Sequence, residues 1–340
     1  MLVLLALVTG CSSNPLIVKP PTIEPAQAAD SPPASQDPAG AVLPLGGHPQ
    51  AAVFDSATHQ LAVLSPGSDP AAPASVALFG AAPRLVALPG PATALAADDR
   101  GRVYLAARGG YFVVDLAAAH ATQVNIADAQ QVQFTAIARR ADGKLVLGSA
   151  DGSVYTLASA PDAGPEPGSA TIGSRIKIFT RVDSLVTQGN TTAVLDRGQT
   201  SLTTIGADGR AEQALRAGEG ATTMAADPLG RILVADTRGG ELLVYGCCSP
   251  RTPLILRQAY PVREAPFGLA GSRGLSWVSQ TASNTVIGYD LTTGIPLEKV
   301  RYPTVRQPNS LAFDEASDTL YVVSGSGAGV QVIEHAAGPR

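Results

Sequence analysis

The feature that most constrains this chain is a pattern that recurs seven times between residues 50 and 340. Each copy has a short apolar segment, a polar turn that often contains Asp or Gly, and a second segment of alternating small and β-branched residues. Equivalent positions in the second segments are Leu61, Val103, Leu145, Thr192, Ile232, Ser276 and Leu320. The steps between them are 42, 42, 47, 40, 44 and 44 residues, and the longest step contains a Pro-rich insertion at residues 160–170.

A period of this length with four short strands per unit is typical of a propeller blade. We therefore predict an all-β fold, a seven-bladed β-propeller, over residues 41–340. The 35 Gly and 27 Pro residues suit many short strands joined by tight turns. A β-sandwich array and an open solenoid remain alternatives.

The seventh unit ends after its third strand, because residues 334–340 are too few and too rich in Gly and Pro to form a fourth. Residues 41–45 (AVLPL) look like the fourth strand at residues 85–89 (LVALP). We expect this N-terminal strand to complete the last blade, because closing the ring leaves no large unpaired edge.

The N-terminus carries the marks of an export signal. Residues 2–8 (LVLLALV) are apolar and lead into Thr9, Gly10 and Cys11. The run is too short for a bilayer, which needs about 20 residues, but it has the length of a signal-peptide core. We expect residues 1–10 to be a lipoprotein signal peptide, truncated at its start since no basic residue precedes Leu2, and Cys11 to become a palmitate-bearing diacylglyceryl cysteine. The alternative is a buried N-terminal strand with a chance Cys.

Residues 12–40 contain seven Pro among 29 residues and no aromatic residue. Such a segment buries too little surface to offset the entropy of ordering, so residues 11–40 are expected to form the lipidated Cys and a disordered tether. At about 3.1 Å per residue the tether reaches at most roughly 90 Å.

Two resemblances follow from these residues. Residues 307–314 with 319–323, and residues 224–236, resemble blades of the NHL and YVTN propeller families. The opening at residues 11–18, with its Pro-rich continuation, resembles actinobacterial lipoproteins of the LppL type. The resemblances imply a propeller fold and a place on the extracytoplasmic face of the cell membrane, but no particular activity.

Several kinds of chemistry lack support in the sequence. The net charge of −4 argues against nucleic acid. The four His residues, His48, His59, His120 and His335, fit no metal motif, and no P-loop, dinucleotide fingerprint or nucleophile elbow is present. We predict no metal and no cofactor, and catalytic residues cannot be named. A recurring Asp is interpreted as a turn cap, at Asp55, Asp98, Asp227 and Asp314.

A candidate binding site comes from the loops between second and third strands. Three of them place Arg beside Gly, at Arg108, Arg197 and Arg238, and connections between blades add Arg181, Arg263 and Arg306. In propellers these loops share one face around the channel mouth. Arg side chains there are suited to an anionic ligand or partner, whereas the simpler interpretation is a solvated Arg beside a turn Gly.

Cys247 and Cys248 are adjacent and follow a third strand, which places them on the opposite face. They are predicted to form a vicinal disulfide or to remain two free thiols. The function favoured by the sequence is a membrane-anchored envelope lipoprotein that binds an envelope protein or an anionic small molecule or glycan. The alternative is a propeller enzyme of the envelope, a lactonase-like hydrolase or a quinoprotein-like dehydrogenase.

Overall fold

The computed structural model describes residues 21–161, 168–248 and 253–338. Its strands form seven sheets arranged in a ring, the predicted all-β seven-bladed propeller. Blades 1 to 3, each from its innermost to its outermost strand, are β2 (Ala51–Asp55), β3 (Gln60–Ser65), β4 (Ser75–Phe79) and β5 (Arg84–Ala87); β6 (Leu95–Ala97), β7 (Arg102–Ala107), β8 (Gly110–Asp115) and β9 (His120–Ile126); and β10 (Phe134–Arg139), β11 (Leu145–Ser149), β12 (Ser153–Leu157) and β14 (Ile172–Lys177).

Blades 4 to 7 follow the same order. They are β15 (Ser184–Gln188), β16 (Thr191–Asp196), β17 (Ser201–Ile205) and β18 (Ala211–Arg216); β19 (Ala221–Ala226), β20 (Arg231–Asp236), β21 (Glu241–Gly246) and β22 (Ile255–Pro261); β23 (Pro266–Gly271), β24 (Ser276–Gln280), β25 (Thr285–Asp290) and β26 (Leu297–Pro303); and β27 (Pro308–Asp314), β28 (Thr319–Ser324), β29 (Val330–Ile333) and β1 (Ala41–Leu43).

The core lies between the blades. Each innermost strand contacts the innermost strand of the next blade, and β27 contacts β2, so the ring is closed. Seven apolar clusters occupy the seven interfaces between blades. Between blades 6 and 7, for example, the fully buried Trp277 stacks on Phe313 with 5.7 Å between ring centroids. Second and third strands are buried on both sides because each blade has a neighbour on each face, which explains their nearly continuous apolar sequences.

The predicted closure by the N-terminal strand is confirmed. Strand β1 pairs antiparallel with β29, with Ala41 opposite Val332 and Leu43 opposite Val330. The last blade therefore combines three strands from the end of the chain with one from near its start.

Two faces follow from this topology. The upper face carries the loops between second and third strands and the connections between blades, and the lower face carries the other loops. The recurring Asp residues cap lower-face turns, as predicted. Asp55 accepts hydrogen bonds from the Thr58 amide at 2.9 Å and the Gly101 amide at 3.1 Å, and Asp98 accepts from the Arg100 amide at 2.8 Å.

The Pro-rich insertion after β12 is partly described. Residues 162–167 lie outside the described part of the chain, and β13 (Ser169–Ala170) then adds a fifth strand to blade 2, parallel to β9. No helix in the described ranges is long and apolar enough to cross a membrane. Residues 1–20, with the predicted signal peptide and the predicted lipidation site Cys11, also lie outside them.

Residues 21–40 differ from the free tether expected for residues 11–40, because they lie against the propeller. The Ile23 amide donates to the Gly198 carbonyl at 2.8 Å, and the Ala39 amide donates to the Pro303 carbonyl at 3.1 Å. The segment has few apolar side chains to bury, but its backbone groups find hydrogen-bond partners on the upper face.

Candidate functional site

The candidate site is the part of the upper face covered by residues 23–32, which we call the strap. The strap begins beside the Gly198 loop of blade 4 and ends beside Asn284 of blade 6, whose side-chain amide donates to the Pro32 carbonyl at 2.9 Å. It crosses blade 5 on the way, since the Arg238 guanidinium donates to the Glu24 carbonyl at 2.7 Å. The segment thus crosses the upper face from blade 4 to the connection between blades 6 and 7.

Three of the predicted rim arginines hold this strap. Arg197 donates to the Ala26 carbonyl, Arg238 to the Glu24 carbonyl, and Arg306 to the Ser31 carbonyl at 3.1 Å. The sequence placed these arginines on one face, and in the structure all three bind the same segment. Their acceptors are peptide carbonyls, where the sequence analysis expected an anion.

Two buried carboxylates position the arginines of blades 4 and 5. Asp236 accepts hydrogen bonds from the amides of Glu219 at 2.7 Å, Gly220 at 2.8 Å and Gly239 at 3.0 Å. It thereby ties the loop that carries Arg238 to the connection entering the blade. Asp196 does the same beside Arg197, accepting from the Thr180 and Gln199 amides.

Ser31 occupies a polar pocket between blades 6 and 7 and is only 6% exposed. Its hydroxyl donates to the Thr281 carbonyl at 2.6 Å and accepts from the Gln307 amide at 2.9 Å. The Gln307 side chain accepts from the Ser31 amide at 3.0 Å and donates to the Ala29 carbonyl at 2.9 Å. Gln307 has a φ of 55°, a left-handed conformation that is uncommon outside Gly and Asn.

A second pocket holds Ala26, which is 9% exposed. A Cβ added to Gly220 would lie 3.0 Å from the Ala26 Cβ and 2.7 Å from the Arg238 Cβ. The absence of a side chain at Gly220 therefore lets the strap approach the blade closely. Among residues 23–32, only Ala26 and Ser31 are buried.

The hydrogen bonds of the strap and the entropy cost of ordering it are of similar size. Ten hydrogen bonds between described residues join it to the propeller. Each contributes about 0.5–1.5 kcal/mol net, whereas fixing the backbone of each strap residue costs about 1–2 kcal/mol. Both totals are on the order of 10 kcal/mol, and the prolines of the strap lower the entropy cost because their φ is already fixed.

The remaining predicted arginines lie away from the strap. Arg108 of blade 2 donates to the Gln131 side chain, and Arg181 donates to Asp183 at 3.1 Å. Arg263 lines a cleft beside Arg301, and its carbonyl accepts from the Gln280 side chain at 2.6 Å. The predicted rim is thus divided into three arginines that bind the strap and three that do not.

Arg197 is also distinguished electrostatically. Burial lowers the pKa of its guanidinium below the usual value, Asp183 raises it, and the like charge of Arg181 lowers it again. A guanidinium nevertheless stays protonated in proteins, so Arg197 brings a positive charge to the upper mouth of the channel.

The central channel has a volume of about 680 Å³ and is lined mainly by small residues of the innermost strands. Its lining includes the carboxylates Asp99 and Asp183. Asp99 follows β6 and Asp183 precedes β15, so they lie at opposite mouths of the channel, and Asp99 accepts from the Ser56 hydroxyl at 3.1 Å. In the described part of the chain, no three His, Cys, Asp or Glu side chains come together as a metal site.

Cys247 and Cys248 lie on the lower face, next to a cavity also lined by Leu229 and Arg257. The structure joins the two residues as a vicinal disulfide. Cys247 packs in the apolar cluster between blades 4 and 5.

The sequence analysis missed the polar partners of the strap, namely Thr281, Asn284 and Gln307. It also missed Asp196 and Asp236, although each stands one or two residues before a predicted rim arginine. That repeated order, Asp shortly before Arg and Gly, is the signal from which the ordered loops could have been inferred.

Comparison with known proteins supports the fold alone. No protein-family model matches the chain, and no curated protein matches its sequence. Solved structures do match. A chain in the crystal structure of the mitotic checkpoint complex has a TM-score of 0.71 at 11% identity, covering 93% of this chain and 98% of that chain.

Two further structures are similar at the same level. Virginiamycin B lyase from Staphylococcus aureus has a TM-score of 0.66 at 9% identity, covering 86% of this chain and 98% of that chain. The WD40 repeats of RRP9 have a TM-score of 0.66 at 14% identity, covering 88% and 99% respectively. Enzymes and components of assemblies thus share this architecture, and a fold does not determine a function.

Proposed function

We propose that this protein is a lipid-anchored binding and scaffold module on the extracytoplasmic face of the cell membrane. One observation carries the binding role: Arg197, Arg238 and Arg306 lie on the upper face and donate to three backbone carbonyls of one polypeptide segment. A surface that already binds a polypeptide of its own chain has the chemistry to bind another protein. The presence of a similar propeller in the mitotic checkpoint complex is compatible with such a role.

The membrane anchor is supported by the sequence around Cys11 and by the position of the strap. Residue 21 is the first described residue, and Ile23, two residues later, is bonded to the Gly198 loop on the upper face. Nine residues, 12–20, separate residue 21 from Cys11, and the ten Cα-to-Cα steps from Cys11 to residue 21 span at most about 36 Å when fully extended. Several acyl chains on one Cys give stable attachment, whereas one chain does not. The upper face would then lie near the membrane.

The geometry favours binding over the enzymatic alternatives, a lactonase-like hydrolase or a quinoprotein-like dehydrogenase. Those activities need acidic, Asn or His ligands that converge at the channel. Among the described residues that line the channel, Asp99 lies at the lower mouth, and Asp183 and Asn309 lie at the upper mouth. Asp183 is engaged by Arg181, and the Asn309 side chain accepts from the Gln307 side chain at 3.1 Å. An envelope protein is also a better match than an anionic small molecule or glycan, because the three guanidinium groups already bind peptide carbonyls.

Two measurements in envelope preparations test the proposal. Cys11→Ser should release the protein from the membrane fraction. A photo-crosslinking residue in place of Arg238 should attach a discrete partner, whereas one in place of Leu229, which is 51% exposed on the lower face, should not. Retention of the Cys11→Ser protein in the membrane would overturn the anchor. Equal crosslinking from both positions would overturn the assignment of the upper face.

A further inference from the structure

We propose that the groove beneath the strap is a peptide-binding site that takes an extended, acidic segment of a partner protein in place of the strap. The groove is formed by side chains of blades 4 to 7: Arg197, Arg238, Thr281, Asn284, Arg306 and Gln307. This inference rests on the proposed binding role of the upper face and specifies the chemical class of its partner.

Recognition in the groove is directed mainly at the main chain. Eight backbone groups of the strap are bonded, among them the Ala29 amide and carbonyl and the Ser31 amide and carbonyl. Every extended polypeptide presents these groups at the same spacing. Main-chain hydrogen bonds supply affinity in such sites, and pockets for individual side chains supply specificity.

The two pockets define what the partner segment must contain. The Ala26 side chain is buried against Gly220 and Arg238, so this pocket favours a small residue. Five residues later, the Ser31 pocket both donates to and accepts from a hydroxyl. The strap also carries Glu24 and Asp30 and no basic residue, facing a groove with three arginines. The expected partner segment therefore has a small residue, a Ser five positions on, and a net negative charge.

The strap is placed to be exchanged. It belongs to none of the seven sheets and to none of the seven apolar clusters between blades. It can leave the groove without unpairing β1, because residues 33–40 separate the two. A partner segment binds only when the groove is vacant. Its apparent affinity is therefore the intrinsic affinity multiplied by the fraction of molecules with a vacant groove.

The test is a binding titration on the full chain carrying Cys11→Ser. The probe is a fluorescein-labelled peptide of residues 21–36 (PTIEPAQAADSPPASQ). A second substitution, Ser31→Leu, removes the hydroxyl and overfills the pocket, and should vacate the groove. We expect this protein to bind the probe at least about tenfold more tightly than the parent.

Matched controls identify the groove. Ser35→Leu, the same change at an exposed position, should leave probe binding as in the parent. A probe with Ser31→Leu should not bind, and Gln307→Ala in the vacated protein should abolish binding of the original probe. A folded Ser31→Leu protein with no saturable binding would overturn the inference. If crosslinking from position 238 persisted in spite of that result, the proposed function would stand, and the partner would bind the upper face through a folded surface instead of an extended segment.

Two further measurements cover the remaining outcomes. If Ser31→Leu prevents folding, hydrogen exchange of backbone amides in the parent tests whether the strap leaves the groove. Rapid exchange at Ala29 and Ser31 supports an exchangeable strap, whereas protection equal to that of β20 overturns the inference. A doubled mass of the parent in light scattering, lost with Ser31→Leu, would overturn the partner assignment. The occupant would then be the strap of a second copy.

Discussion

At the scale of single residues, the upper face depends on carboxylates that the solvent does not reach. Asp236 is fully buried and accepts three backbone amides, those of Glu219, Gly220 and Gly239. Each oxygen faces at least one N–H group, so neither can be replaced by a donor without leaving a buried amide unpaired. The loop and the connection it holds carry Arg238 and the Ala26 pocket.

We therefore expect Asp236→Asn to lower the free energy of unfolding by about 2–3 kcal/mol. In either orientation the Asn amide nitrogen would face a backbone N–H. Urea unfolding at neutral pH measures the effect. Asp37→Asn, the same change at an exposed carboxylate, should leave stability unchanged. Similar losses for the two variants would contradict the role assigned to Asp236.

The pair Cys247 and Cys248 gives a second prediction at this scale. The structure joins the two residues as a disulfide, and an oxidising extracytoplasmic compartment would maintain that bond. Intact-mass spectrometry without reductant should find the Cys11→Ser protein lighter by two hydrogen atoms than after reduction. An unchanged mass would mean two free thiols.

At the scale of elements, the blades were predictable and the strap was not. The sequence located the second and third strands because burial on both faces makes them apolar throughout, as in β7 and β21. The outermost strands are more exposed, so the sequence defines their bounds less well: the fourth strand expected at residues 85–89 is β5, at Arg84–Ala87. Local composition is sufficient to locate a strand whose environment repeats from blade to blade.

The strap depends on contacts that no local pattern contains. Its residues lie 171–278 positions from the groove residues that bind them in the chain. Its composition predicts disorder because apolar burial is the usual means of offsetting ordering entropy. Here hydrogen bonds to the backbone of the strap offset the entropy cost of ordering it. The groups that bind the strap come together only when blades 4 to 7 are assembled. For the same reason, the sequence did not predict that Gln307 and Asn284 bind the strap, since neither has a repeated counterpart in the other blades.

Tyr245 of β21 shows how one element is fixed to the next blade. Its hydroxyl donates to the Arg216 carbonyl of β18 at 2.6 Å. Burial raises the pKa of this hydroxyl well above its ordinary value, with Asp236 and Glu241 adding to the rise. The unfolded chain loses the proton near pH 10, so the stabilisation is present below that pH and is lost as pH rises toward the folded pKa.

Tyr245→Phe should therefore cost about 0.5–1.5 kcal/mol at pH 8, and the difference from the parent should narrow above pH 10. Urea unfolding at pH 8 and pH 10.5 measures both. Tyr289→Phe offers a second case, because burial, with Glu298 and Tyr260 contributing and Arg301 opposing, raises the pKa of Tyr289 to about 12. A constant difference across this pH range would contradict the assignment of the alkaline loss to these hydroxyls.

At the scale of the whole molecule, a buried side-chain amide adds to the β1–β29 pairing where the ring closes. The Gln331 side chain donates to the Ala39 carbonyl at 2.7 Å and the Pro303 carbonyl at 3.0 Å, and accepts from the Val305 amide at 3.1 Å. It thus joins the last blade to the connection from blade 6 and to the segment that leads into β1.

We expect Gln331→Leu to lower the free energy of unfolding by about 2–4 kcal/mol, since it leaves the buried Val305 amide unpaired. Calorimetry or urea unfolding measures the loss. Gln123→Leu, on the exposed face of β9, serves as the matched control and should have little effect. Equal effects of the two substitutions would mean that closure rests on β1 pairing alone.

The strap also determines how far the proposed anchor can hold the propeller from the membrane. With the strap bound, residues 12–20 lie between Cys11 and the first described residue and would span about 28 Å as a semi-extended chain. With the strap released, the linker would be residues 12–38 and would span about 84 Å, because Ala39 stays bonded to Pro303 and Gln331. Occupation of the groove by a partner segment would therefore lengthen the reach about threefold. Binding on the upper face and distance from the bilayer are coupled through the same ten residues.

Energy transfer between a dye at Leu85, an exposed residue of blade 1, and labelled lipids measures this distance. In vesicles carrying the lipidated chain, Ser31→Leu should lower transfer efficiency, and Ser35→Leu should leave it unchanged. Adding the probe peptide of residues 21–36 to the parent should lower it as well, because the peptide competes with the strap. Equal efficiencies for all three proteins would mean that linker length does not set the position of the propeller, even if peptide binding persisted. Such a result would leave peptide binding in the groove intact and would contradict only the role of the linker. A linker that collapses on the membrane gives the same distance between propeller and bilayer whether the strap or the probe peptide is bound.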